Sequence, residues 1–277
     1  KLAISPIDPL LGYRPMRFLR VDDLPYVDTS NYCRFVVPFF GGFDGCNIFD
    51  KNQHALNDDA IRQEVEDLNQ GGKSGPTVSS YNEVLGLIET ETELDFQFLA
   101  IPGIRHRQVT DTAIDVAEER KNLLYIMDVE KFNSDNLLIS ASGENIDITN
   151  TVENFSSRMI DSTYVATFFP DPQVTLTESA TSAIVPSSTV VMESFIKNDD
   201  GTRIWDPTAG PEKGLISRAI GLEFKLDEIE ESKLFGARIN GISTVKNGGN
   251  YIVSQMNLGR SGGDTRMISV RRVLLDL

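Results

Sequence analysis

The alternation of helical and strand periods between Val78 and Met127 limits this chain to few folds. Val78, Tyr81, Val84, Leu85 and Ile88 recur at i, i+3, i+6, i+7 and i+10, which predicts a helix. Leu94 to Ile101 reads as a strand closed by Pro102-Gly103. Val109, Ala113, Val116 and Ala117 form one stripe of a helix over about 109–121. Leu123 to Met127 is apolar at every position, as in a strand covered on both faces. Such a strand needs a layer of helices on each side of its sheet.

The rhythm extends both ways. Asn57-Asp58-Asp59 start a helix over 57–68 in which Ile61, Val65 and Leu68 share a face. Residues 70–76 read as a flexible loop, and 131–150, rich in Asn, Ser and Asp, as a surface insertion. A helix near 151–160 (Val152, Phe155, Met159) and a strand near 163–169 follow. The order α-β-α-β-insert-α-β predicts an α/β fold with a mostly parallel sheet, right-handed crossovers and flanking helices. Ser187 or Ser188 caps a helix through Phe195, and Asn198-Asp-Asp-Gly201 reads as a turn. Trp205 to Pro211 reads as a rigid loop. An acidic helix over 226–239 turns Leu226, Ile229, Leu234 and Phe235 inward, and strands follow over 251–258 and about 266–275. At the other end, Pro6, Pro9, Pro15 and Pro25 interrupt residues 1–30, which read as an extended arm or small β segment. Tyr32-Cys-Arg-Phe-Val-Val-Pro38 reads as a strand running into Gly41-Gly-Phe-Asp-Gly45.

Charge narrows the function classes. With 26 Lys and Arg against 41 Asp and Glu, the net charge is −15, which repels nucleic acid. The basic clusters Arg14/Arg17/Arg20, Arg105/His106/Arg107 and Arg271-Arg272 are short and read as local ion-pairing. Cys33 and Cys46 allow one disulfide, not a disulfide framework, and are read in preference as free thiols in a reducing compartment. No apolar run reaches the length of a membrane span, and no secretory signal opens the sequence. The chain opens on Lys1 and stops in the apolar Val270 to Leu277, and reads as a piece of a longer polypeptide.

Catalytic constellations are missing where they would be expected. Gly72-Lys73-Ser74 has Asp67 where a phosphate loop needs its first glycine. His54 and His106 are the histidines, no Gly-x-Ser-x-Gly elbow accompanies them, and both read as surface residues. Two histidines and two cysteines at wide spacing do not make a zinc site. Asn198 to Gly201 lacks the alternating oxygens and closing glutamate of a calcium loop. The residues therefore nominate no catalytic, cofactor-binding or metal-binding position. The readings left open are a structural protein, an α/β hydrolase or nucleotide-binding enzyme, and another virion or secretion-machine component.

A set of strings, in order, resembles the tail sheath proteins of contractile bacteriophages and related injection machines. They are Phe35-Val-Val-Pro38 with Phe40-Gly-Gly-Phe-Asp-Gly45 and Ile48-Phe49, then Tyr81 to Ile104 ending in Leu99-Ala-Ile-Pro-Gly-Ile104. Glu118-Glu-Arg120, Tyr125-Ile-Met-Asp128 and Tyr164 to Pro170 follow, then Val185-Pro-Ser-Ser188 and Arg203-Ile-Trp-Asp-Pro207 with Gly210-Pro211. Asn240-Gly-Ile242, Gly248-Gly-Asn-Tyr-Ile-Val253 and Ile268-Ser-Val-Arg-Arg272 complete the series. The Phe- and Asn-rich wording suggests a divergent phage, with a giant myophage among the candidates.

The resemblance implies a subtilisin-like α/β core over 35–277, an N-terminal arm or part of a neighbouring domain over 1–34, and a C-terminal domain beyond this chain. It implies a non-enzymatic subunit of the virion tail, assembled in the host cytoplasm, that needs no cofactor. The subunit would polymerise by non-closing contacts and contract to drive a tube through the host envelope. Its implied partners are neighbouring sheath subunits, the tail tube protein, the baseplate and the tail terminator, without nucleic acid or membrane insertion.

Overall fold

A computed structural model describes residues 2–4, 17–19, 56–66, 68, 71–91, 94–131, 141–142, 145–146, 148–175, 181–201, 203, 205–245, 249–260 and 263–275. The chain divides into two units, Lys1–Asp44 and Gly45–Leu277. In the first, β1 (Leu2–Ile4) pairs antiparallel with β2 (Arg17–Leu19), Ala3 opposite Phe18. The expected strand at 32–38, the turn at 41–45, both cysteines and His54 lie outside the described residues.

The second unit runs in chain order as α1 (Leu56–Glu66), α2 (Pro76–Thr90), β3 (Phe98–Ala100), α3 (Arg107–Arg120), β4 (Leu124–Asp128), β5 (Ala141–Ser142), β6 (Asn145–Ile146), α4 (Ile148–Ser157), β7 (Val165–Phe169), β8 (Pro172–Thr175), β9 (Ser182–Ile184), α5 (Ser187–Gly201), α6 (Gly210–Lys213), β10 (Leu215–Ile216), β11 (Ala219–Leu222), α7 (Glu228–Gly236), β12 (Asn240–Thr244), β13 (Asn250–Ile252) and α8 (Ile268–Leu275). The main sheet has the order β10-β13-β12-β7-β4-β3. β3, β4, β7 and β12 run parallel, and β13 and β10 add antiparallel at one edge, so the sheet is mixed. A second sheet, β11-β8-β9, is antiparallel, as is the β5-β6 pair.

The apolar run in β4 follows from having a core on each face. Its side chains alternate by pleat. Tyr125 and Met127 join one core with Val165 and Phe169 of β7, under α1, α2, α3, α4 and α7. Leu124 and Ile126 join the other with Ala166 and Phe168, under α5 and α8. Every residue of β4 and β7 is buried. Each such aliphatic side chain contributes about 1.5–3 kcal/mol.

Several elements differ from the sequence reading. Residues 268–275 are a helix rather than a strand: Ile268, Arg272 and Leu275, at i, i+4 and i+7, turn one face inward. The strand expected over 251–258 ends at Ile252. The irregular segment after it is held by Asn240, whose Oδ1 accepts from Met256 N at 2.6 Å and whose Nδ2 donates to Met256 O at 2.7 Å. Asn198–Gly201 is the last turn of α5, where Asn198 donates to Thr208 Oγ1 and Asp199 pairs with Arg272. α7 is nine residues long and turns Leu234 inward. Ile229 and Phe235 are 68% and 54% exposed, because they sit about 140° and 100° around the helix from Leu234. Leu68 and Met159 lie past the ends of α1 and α4 and are exposed, and Val84 faces out beside inward Leu85.

Candidate functional site

In open α/β sheets, chemistry concentrates at the carboxyl ends of the strands. Here that place holds a closed ionic network. Asp128, the last residue of β4, is buried. Its Oδ2 accepts from Gly103 N and Ser188 Oγ, each at 2.9 Å. Its Oδ1 accepts from Ser187 Oγ at 3.0 Å and Ser188 N at 2.9 Å. Asp171, just past β7, accepts from Ser187 N at 3.1 Å, and its Oδ2 lies 2.6 Å from Arg105 Nη2 and 2.9 Å from Lys131 Nζ. Lys131 also pairs with Glu223, and Arg105 also donates to Val129 O. Asp58 of α1 accepts from Arg105 N at 2.8 Å and His106 N at 2.9 Å.

The start of α5 is therefore capped by two distant carboxylates, where the sequence assigned the capping to Ser187 or Ser188. A buried carboxylate at a helix N-terminus satisfies amides that have no intrahelical partner. The Ser188 hydroxyl donates to Asp128, and the Ser187 hydroxyl is shared between Asp128 Oδ1 at 3.0 Å and Phe168 O at 2.9 Å. Burial pulls the Arg105 guanidinium down, but Asp171, then Asp128, Asp58 and Glu223, outweigh it and hold it above its ordinary value. Arg105 stays a fixed cation and cannot exchange protons at neutral pH.

The other nominated residues are also bound into local structure. Gly72-Lys73-Ser74 forms a 3-10 turn ahead of α2. The anion position at the start of α2 is filled by buried Glu64, which accepts from Thr77 N at 3.0 Å and Val78 N at 3.2 Å. A side chain at Gly75 would collide with that carboxylate. His106 is half-buried rather than a free surface residue, and its Nδ1 accepts from Gln108 N at 3.2 Å as the cap of α3. Burial lowers its pKa, with Asp58 and Glu130 opposing and Arg62 and Arg107 adding to the shift. Two of the basic clusters pair with acids: Arg105 with Asp171, Arg107 with Glu130, Arg272 with Asp199; the side chains of Arg14, Arg17 and Arg20 lie outside the described residues. The Arg272 guanidinium also lies against the stacked rings of Phe98 and Phe195, 4.9 and 5.4 Å from their centroids. Among the described residues no cluster is placed to hold a metal, and no helix is long and apolar enough to cross a membrane.

The sequence reading missed Asp58, Glu64, Asp128 and Asp171. The one signal available was an aspartate closing an apolar strand, at Asp128.

At the amino-terminal ends of β7 and β12 the arrangement is open. A groove of about 220 Å³ is lined by Phe155, Ile160, Leu258, Arg238 and Arg260, beside the exposed Phe235 and Met159 of the segments that form it.

No protein-family profile and no curated protein matches the sequence. Solved structures do. A chain of the anti-feeding prophage (AFP) baseplate matches with a TM-score of 0.52 and 14% identity, over 84% of this chain and 57% of that one. A chain of the PVC sheath complex, an extracellular contractile injection system in the contracted state, matches with a TM-score of 0.51 and 19% identity, over 69% and 48%. The chain thus spans about half the length of the solved chains it matches. Over the matched spans its mixed α/β fold is similar to that of these two chains.

Proposed function

We propose that this chain is a structural, non-enzymatic subunit of a contractile sheath, which polymerises around a tube and contracts to drive it through an envelope. The observation that carries the reading is the fold shared with a chain of the PVC sheath complex. The strand-end network supports it, since its carboxylates, serines and Arg105 are committed to holding α5, α3 and the sheet together. A rigid body moved by neighbours needs such a closed interior, because contraction reorients subunits largely as rigid units.

In this reading residues 35–277 are the body, subtilisin-like in its parallel strands with helices on both faces, and 131–150 a surface insertion. Residues 1–34 act as an arm or belong to a neighbouring domain. Partners are neighbouring sheath subunits, the tube, the baseplate and the tail terminator. The place of action is a phage tail or phage-like particle assembled in the host cytoplasm.

Electron microscopy of the complete gene product, beside this chain, tests the reading. Helical sleeves from the complete product support it. Compact monomers at every concentration and ionic strength overturn it.

A further inference from the structure

The groove at the amino-terminal ends of β7 and β12 combines an apolar wall with positive charge. Phe155, Ile160 and Leu258 supply the wall, and Arg238 and Arg260 the charge. Arg238 is fixed in place, donating to Leu258 O and Arg260 O at 3.2 Å each and to Gly259 O. Burial, then Arg266, then Arg260, pull its guanidinium below the ordinary arginine value, with Asp161 opposing. Three guanidiniums therefore share one neighbourhood on a chain of net charge −15.

The groove is built on the C-terminal end of α7 through Gly236 and Ala237. The other end of α7 has the complementary character. Ile229 stands out, flanked by Glu228, Glu230 and Glu231, with Asp227 at the cap. Asp227 and Glu230 form a reciprocal capping box that makes this turn rigid. The two ends are about 13 Å apart along the helix.

We infer that the groove receives the first turn of α7 from a second copy of this chain, with Ile229 against the apolar wall and Glu228 and Glu231 facing the arginines. Knob and hole lie at opposite ends of one helix. When copies add head to tail the contact is heterologous, and each end of the chain of copies keeps a free knob or a free hole for the next one. The choice of a second copy as occupant rests on the sheath reading. The groove's chemistry, apolar with a cationic rim, matches what the acidic turn presents.

Sedimentation velocity of the 277-residue chain tests the contact. The weight-average mass should rise with concentration and fall with added salt. Ile229→Asp and Arg260→Glu, both surface changes, should each weaken association roughly tenfold or more. Mixed together, the two variants should form a 1:1 complex and grow no further, because one keeps the hole and the other the knob. A monomeric wild-type chain overturns the inference. So do variants that associate like wild type, or a mixture no heavier than its parts. Sleeves of the complete product that survive both substitutions would remove this contact and leave the sheath reading standing. A 1:1 mixed complex without sleeves would do the reverse.

Discussion

The two ends of the parallel strands are built by opposite rules. At the carboxyl ends, Asp128, Asp171, Arg105 and Lys131 are drawn inside and bonded to one another or to helix amides. At the amino ends, Arg238 and Arg260 border an open groove beside exposed Phe235. A buried charge is tolerable only when it is fully paired, which forces the first end shut. An exposed guanidinium carries no such penalty, so the second end remains available to a partner. In a fold that elsewhere hosts catalysis at strand carboxyl ends, this chain uses that place as a structural clamp and leaves the opposite end open.

The contrast predicts a steep gradient of mutational cost. Asp128→Ala strands the amide and hydroxyl of Ser188 and the amide of Gly103, and should cost roughly 3–5 kcal/mol in chemical denaturation. A loss below about 1 kcal/mol would mean that the clamp is not a clamp. Glu64→Ala uncaps α2 and should cost about 2 kcal/mol, with hydrogen exchange speeding first at Thr77 and Val78.

His106 gives a pH signature. Its folded pKa lies below the ordinary value of 6.5, so below 6.5 the unfolded chain binds more protons than the folded one. The stability it contributes is full above 6.5 and is lost as pH falls through the folded value. His106→Gln should flatten that part of the curve of denaturation midpoint against pH, and an unchanged slope would count against the assignment.

Tyr125→Phe should be neutral or slightly stabilising in thermal melts. Burial, and after it Asp128, raises the phenol's pKa against the opposing Arg158, and among the described residues the hydroxyl has no hydrogen-bond partner. Least of all, Arg260→Glu at the open end should leave the denaturation midpoint where it is, while changing self-association. A destabilised Arg260→Glu would erase the distinction between the two ends.

Much of the scaffold could be read from the chain itself. The stripes of α2 and α3 and the apolar runs of β4 and β7 are local patterns, set by geometries that repeat every 3.6 or 2 residues. The errors fall where a short element has too few residues to state its period. In α7, Ile229 and Phe235 read as inward until Leu234 fixes the orientation. In α8, the alternation of apolar residues hid an i, i+4, i+7 face that includes an arginine, because Arg272 is buried only by virtue of Asp199, Phe98 and Phe195.

The sequence by itself determined the α/β class, the order of the main layers and the lack of a nucleophile–histidine or phosphate-loop pattern. Which acids are interior, and what they hold, was decided only by the tertiary structure. Asp128 reaches Ser187 across 59 residues of chain, and Asp58 reaches the amide of Arg105 across 47. A carboxylate has no periodicity of its own. Its role is set by the donors that folding brings to it, and those donors come from elements that are distant in the chain and adjacent only in space.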